Sequence, residues 1–162
     1  MSAVQPFEAF RPLTSTDLDQ VMRIEERVYP YPWSRRIFQD CLWVGYYCRA
    51  LTCADQVAGY GIMSHGAGEA HILNLAIDSL FQGKGYAKAM LNDLLHAAGI
   101  LDCERVLLEV RPSNKVALSI YKQAGFSRIG IRRDYYPAKG GTEDAYVLHK
   151  LLPDKPTLVK SR

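Results

Sequence analysis

The feature that most narrows what this chain can fold into is a glycine-rich turn at its middle, Gln82-Gly83-Lys84-Gly85-Tyr86-Ala87. It follows an apolar run, residues 69–78, that reads as a strand. It opens into the clearest helix of the sequence, residues 85–99, whose apolar stripe is Ala87, Met90, Leu91, Leu94 and Leu95, with Gly99 expected as its C-cap. A helix start leaves about four backbone N–H groups unpaired, aimed outward with the positive end of the dipole. Glycines at that point let a phosphate approach the backbone without side-chain obstruction. The loop alone leaves two readings open, a phosphate cradle and a tight turn that merely enters a helix. Two nucleotide patterns are excluded. A dinucleotide fingerprint needs glycine or alanine at the position held by Lys88, and a P-loop needs a Gly-Lys-Ser/Thr that is absent.

The rest of the chain alternates strands and helices. Residues 7–12 read as a first strand. Thr14 to Asp17 supply capping side chains for a helix carrying Leu18, Val21, Met22 and Glu25. Pro30 and Pro32 break that helix, and Ser34 caps a short second one through Asp40. Strands are expected at 44–52, 56–65 and 69–78, with Gly66-Ala67-Gly68 turning between the last two. A strand at 105–110, a helix at 113–124 ending at Gly125, and a strand at 126–132 follow. A loop rich in Tyr, Pro and Gly leads to a last strand at 145–151. Helices interleaved with strands around one mixed sheet give an α/β (α+β) architecture. At 162 residues the chain is expected to form one domain, 1–153, followed by a polar tail, 154–162.

Composition excludes several function classes. The formal charge of +3 is small and the basic residues are scattered, so no nucleic-acid partner is expected. No apolar run approaches the roughly 18 residues that cross a membrane, and residues 1–10 lack a signal-peptide pattern. Cys41, Cys48, Cys53 and Cys103 show neither a Cys-x-x-Cys pair nor a histidine at metal-ligand spacing. They are expected to be reduced, structural thiols in a cytoplasmic protein, with no metal.

Polar residues in apolar surroundings supply the chemistry. Strand alternation in residues 105–110 puts Val106, Leu108 and Val110 on one face and Leu107, Glu109 and Arg111 on the other. A carboxylate between Leu108 and Val110 costs free energy unless it has a partner or a task. Glu109 is therefore either an edge-strand residue paired with Arg111 or a functional acid. On the following helix Asn114 and Tyr121 are seven residues apart, two turns along one face. Tyr121 reads equally as core packing with a satisfied hydroxyl.

Taken with Leu73-Asn74-Leu75-Ala76-Ile77-Asp78 before it, the Gln82, Gly85, Ala87 pattern resembles the pyrophosphate signature of the GNAT superfamily of acyl-CoA-dependent N-acyltransferases. The resemblance implies a mixed, mostly antiparallel sheet with a splayed central strand pair flanked by helices. It implies that acetyl-CoA is held by the backbone of Leu75, Ala76 and Ile77 and by the loop Gly83, Lys84, Gly85, Tyr86, Ala87 and Lys88. The string Leu108 to Asn114, with Ile120-Tyr121 and Gly125-Phe126, is similar to one branch, the ribosomal-protein-alanine N-acetyltransferases (RimI). So are Tyr31-Pro32-Trp33-Ser34, Arg132-Arg133-Asp134-Tyr135-Tyr136-Pro137 and Gly141-Thr142-Glu143-Asp144-Ala145. Ala87 stands where Gly is commoner, and Asp134 where Asn is usual. That branch implies a protein N-terminus as acceptor, the N-terminal alanine of the eighteenth small-subunit ribosomal protein. It makes Glu109 the proton acceptor, Tyr121 the proton donor, Asn114 a coenzyme A contact, and Trp33, Tyr135 and Tyr136 walls of the acceptor slot. A monomer or weak dimer is expected. The alternatives are a broader N-terminal acetyltransferase, a small-molecule amine acetyltransferase, and a coenzyme A sensor without catalysis.

Overall fold

The computed structural model describes residues 8–153. Residue 7 of the expected first strand and the expected tail, 154–162, lie outside the described residues. The strands are β1 (Glu8–Pro12), β2 (Tyr47–Cys53), β3 (Gln56–Gly66), β4 (Glu69–Ile77), β5 (Arg105–Val110), β6 (Ser127–Ala138) and β7 (Gly141–Leu151). They form one sheet in the order β1-β2-β3-β4-β5-β7-β6. Neighbours run antiparallel except β4 and β5, which are parallel.

Helices α1 (Leu18–Val28) and α2 (Arg35–Val44) cover one face, and α3 (Tyr86–Ile100) and α4 (Lys115–Gln123) cover the other. Each brings its own core. Leu18, Val21 and Ile24 of α1 and Phe38 and Cys41 of α2 pack with Ala50, Tyr60 and Ile62. Met90, Leu91 and Leu94 of α3 pack with Ile72, Val106 and Leu108. The alternation expected in β5 holds, with Val106, Leu108 and Val110 buried. No helix among the described residues is long and apolar enough to cross a membrane.

Four boundaries differ from the expectations, each for a local reason. Val44, expected to start a strand, ends α2, which runs past Asp40 because Cys41 still packs at helical spacing. Gly45 then stops it at φ 87°, with Tyr46 N–H donating to Cys41 O at 3.1 Å and Gly45 N–H to Leu42 O at 3.2 Å, a Schellman closure. Gly99 is not the C-cap of α3. Asp102, at φ 61°, takes the left-handed position, and the same pair of closing bonds runs from Cys103 to Ala98 and from Asp102 to Gly99. Short polar side chains tolerate that region, so an aspartate hid the stop. The helix expected at 113–124 begins two residues in, at Lys115, because Asn114 caps it. The Tyr- and Pro-rich segment is no loop. It is the outer half of a β6–β7 hairpin, bulged between Arg132 and Tyr136. Asp134, at φ 52°, holds that bulge by accepting from Thr142 Oγ1 at 2.7 Å, while its N–H donates to Asp144 at 2.9 Å. Side-chain bonds there replace ladder bonds, which an alternation pattern does not reveal.

Candidate active site

The sheet is paired on both sides of β4 only as far as Ile72 and Leu108. Beyond that point β4 continues along β3 through Ile77, while Glu109 and Val110 continue along β7. The two parallel strands therefore splay. Their parting coincides with a bulge in which Ile62 pairs with Asn74 and Met63 with Ile72, leaving Leu73 extra. The bulge also reverses the alternation. Ala70 and Ile72, then Leu75 and Ile77, pack toward α3, while Leu73 and Ala76 pack toward α1.

The exposed edge of β4 is not idle. Tyr29 Oη donates to Leu75 O at 2.7 Å, and the Gln82 amide donates to Ile77 O at 3.0 Å. In a strand the N–H and C=O of one residue point to the same side, so the N–H groups of Leu75 and Ile77 face the gap as well. At the end of β4, Asp78 is ion-paired to Arg27 of α1 at 2.8 Å.

The glycine loop lies just past that edge. Gly83 and Gly85 adopt φ 79° and 81°, which side chains rarely tolerate, and a Cβ at either would point into open space. Gly85 is the N-cap of α3. The cradle is thus open toward the helix start, as an approaching phosphate requires. Lys84 lies over the Phe81 ring, 5.9 Å from its centroid, and Lys88 is exposed. Tyr86 is buried, its hydroxyl donating to Glu8 at 2.7 Å, so only its backbone can serve the loop.

Across the gap stands Glu109, its side chain 9% exposed. It is not paired with Arg111 and is not on an edge strand. One carboxylate oxygen touches His71 Nε2, and the other lies 3.5 Å from Arg132 Nε. Arg111 instead binds Glu143, which also accepts from the Ser113 N–H at 2.9 Å and hydroxyl at 2.9 Å. Those Ser113 bonds first, then Arg111, hold Glu143 below the ordinary carboxylate range. Arg111 in turn lies over Tyr136, 4.4 Å from the ring centroid, and near Tyr31 at 5.6 Å.

Three phenols converge here. Burial pushes the Tyr121 hydroxyl up to about 12. Burial raises Tyr136 as well, with further contributions from the charges of Tyr135, Glu109 and Tyr121. Tyr29 is raised by burial and then by Tyr121, Glu25 and Tyr136. Tyr29, Tyr121, Tyr136 and Glu109 thus share one electrostatic environment at the splay. Tyr121 also packs edge-on against Phe126, with centroids 5.7 Å apart. Asn114 caps α4, its Oδ1 accepting from Ala117 N–H at 3.2 Å. Tyr135 stacks edge-on with Tyr136 at 4.8 Å, whereas Trp33 packs on Phe38 at 5.2 Å and pins its loop. The sequence reading missed His71, Tyr29 and Glu25. His71 comes beside Glu109 only through the parallel β4–β5 register, for which a single sequence carries no signal.

The sequence matches the family described as Acetyltransferase (GNAT) family over residues 18–126. The chain belongs to this family. The ribosomal protein bS18-alanine N-acetyltransferase of Salmonella typhimurium is 35% identical over 136 residues, 84% of this chain and 92% of that protein. The crystal structure of the ribosomal-protein-S18-alanine N-acetyltransferase from Escherichia coli superposes with a TM-score of 0.87 at 30% identity, covering 96% of this chain and all of that one. NAA60 of Arabidopsis thaliana in complex with acetyl-CoA shares the fold, with a TM-score of 0.80 at 21% identity over 90% of this chain and 99% of that one. This GNAT protein is an acetyl-CoA-dependent N-acetyltransferase, and the splayed, mostly antiparallel sheet is the architecture of its relatives.

Proposed function

We propose that the enzyme transfers the acetyl group of acetyl-CoA to a protein N-terminal α-amine, that of the alanine at the start of ribosomal protein bS18. The observation that carries this reading is the covered Glu109 carboxylate at the mouth of the β4–β5 gap, with the Tyr136 phenol near enough to feel its charge. The bS18-alanine acetyltransferases that resemble the chain over most of its length support the acceptor. The four cysteines are free and buried, which suits the reducing cytoplasm where a ribosomal protein is made. The enzyme acts there as a monomer or weak dimer.

The roles follow from the chemistry. The thioester supplies the activated acetyl group. Its pantetheine arm lies along Leu75, Ala76 and Ile77, and its pyrophosphate rests on the N–H groups from Gly83 to Lys88, with Asn114 near the thioester. An α-amine titrates near 7.7–8.0, so only about 10–20% is neutral at pH 7. Glu109 takes the proton that otherwise blocks the nitrogen lone pair. The Ile77 N–H, facing the gap, stabilises the charge that develops on the acetyl oxygen. Tyr121, protonated far above neutral pH, gives its proton to the departing thiolate. Tyr135 and Tyr136 line the acceptor side.

The test is mass spectrometry of cellular N-termini with and without this protein. The bS18 alanine should lose its acetyl group when the protein is removed. A bS18 terminus acetylated equally in both would refute the acceptor, and a set of other termini changing with it would favour the broader enzyme.

A further inference from the structure

Glu109 removes a proton in a place where it cannot easily dispose of it. Its side chain is 9% exposed, and an acceptor chain in the slot would cover it further. His71 is its neighbour on β4, with Nε2 in contact with one Glu109 oxygen and a side chain 33% exposed. The backbone puts it there. His71 pairs in parallel register with Leu107, two residues before Glu109 on the same face of β5. It is the last β4 residue on that face before the bulge and the splay, so it stands at the closed end of the gap while Glu109 stands at the mouth.

We infer that His71 receives the proton from Glu109, so that carboxylate and imidazole act as one base with an outlet to water. The inference rests on the reading of Glu109 as the proton acceptor. His71 is a positioning and relaying residue, acting on the amine only through Glu109. The amine N–H bond breaks and its proton goes to Glu109. In the resting pair Nε2–H donates to the Glu109 carboxylate. Once Glu109 is protonated, exchange of ring protons with water gives the Nδ1–H tautomer, whose Nε2 lone pair takes the Glu109 proton and leaves an imidazolium beside a carboxylate. The Nδ1 proton then leaves to water, which restores Nε2–H against the carboxylate, so both groups return to their starting charge.

Reference values show why this arrangement is useful. Moving a proton from an α-ammonium to an ordinary carboxylate is uphill by about 10³-fold, but to an ordinary imidazole by only about 20-fold. General bases work best with an affinity close to the operating pH. The groups around His71 on this face are Glu109 itself, Arg132 of β6 on the other Glu109 oxygen, and the Glu69–Arg105 ion pair. On the flanking strands, Ser64 of β3 pairs with His71, and His149 of β7 pairs with Leu107. Glu25 of α1 reaches β4 at Asn74, past the bulge.

The experiment measures kcat against pH with a peptide starting in alanine, at saturating acetyl-CoA. Wild type, His71→Gln, His71→Ala and Glu109→Gln are compared. Glutamine keeps an N–H to hold Glu109 but cannot carry a proton, so a purely structural role would survive it. His71→Gln should lose at least about tenfold in kcat, with an unchanged KM for acetyl-CoA. The acidic limb of the wild-type profile should change in His71→Gln, while the limb of the amine itself persists in every active variant. Added imidazole should restore His71→Ala and leave Glu109→Gln inactive. Wild-type kcat with the same acidic limb in His71→Gln, beside an inactive Glu109→Gln, would overturn the relay and keep Glu109 as the base. Full turnover in Glu109→Gln would overturn both.

Discussion

The carboxylate of Glu25 accepts a hydrogen bond from the backbone N–H of Trp33 at 2.9 Å, tying α1 to the segment that leads into α2. Its other oxygen accepts from Tyr60 Oη at 2.7 Å and from the Asn74 amide at 2.9 Å. A charge 1% exposed in an apolar core is tolerable only with such partners. Asn74 adjoins the β4 bulge, so the same carboxylate ties the Trp33 segment to the strand that borders the gap.

Removing that carboxylate leaves three donors inside the core. Glu25→Ala should cost about 3 kcal/mol or more in unfolding free energy, at roughly 1–3 kcal/mol for each stranded group. Urea unfolding measures it. A loss below about 1 kcal/mol would mean that water or a neighbouring acceptor replaces Glu25.

The glycine loop is testable through binding. Gly85 sits at φ 81° with open space where a side chain would stand. Gly85→Val strains that turn and fills the cradle. Acetyl-CoA affinity should fall by about 2 kcal/mol, roughly thirtyfold. Calorimetry on the folded variant showing unchanged affinity would leave the loop as a plain helix entrance.

Much of this site is legible in the sequence because it depends on short-range rules. The glycines betray the helix start, and the carboxylate between Leu108 and Val110 stands out against period-two alternation. Asn114 announces a helix entry, though the cap bond to Ala117 takes up one side of its amide. What stays hidden depends on pairing between distant segments. His71 meets Glu109 across a parallel register, Tyr29 reaches Leu75 over 46 residues, and the β6–β7 hairpin is held through its bulge by Asp134, Thr142 and Asp144. The splay begins beside one extra residue, Leu73, inside a run that reads as a regular strand.

Glu109→Gln is nearly isosteric and cannot take a proton. Turnover should fall about 10²–10⁴-fold while acetyl-CoA binding persists. Steady-state kinetics beside a binding isotherm checks it. Wild-type turnover at neutral pH would mean that another group removes the amine proton.

Tyr121 makes a prediction in pH as well as in mutation. Its hydroxyl is raised from about 10 in an unfolded chain to about 12 by burial. The folded state therefore favours the protonated phenol. That contribution to stability is fully present below about pH 10 and is lost as pH rises toward 12. Tyr121→Phe should lessen the high-pH sensitivity in a melting series, with the share of Tyr29 and Tyr136 remaining. The same variant should lose at least about tenfold in kcat, with acetyl-CoA affinity nearly unchanged. Intact turnover would leave Tyr121 as a packing partner of Phe126.

The most direct test uses a peptide that begins with free alanine and carries one internal lysine, incubated with acetyl-CoA and the enzyme. Tandem mass spectrometry locates the added acetyl group. The account predicts the label on the α-amine, because the proposed acceptor is a chain end brought to Glu109. A label found mainly on the lysine side chain would contradict it.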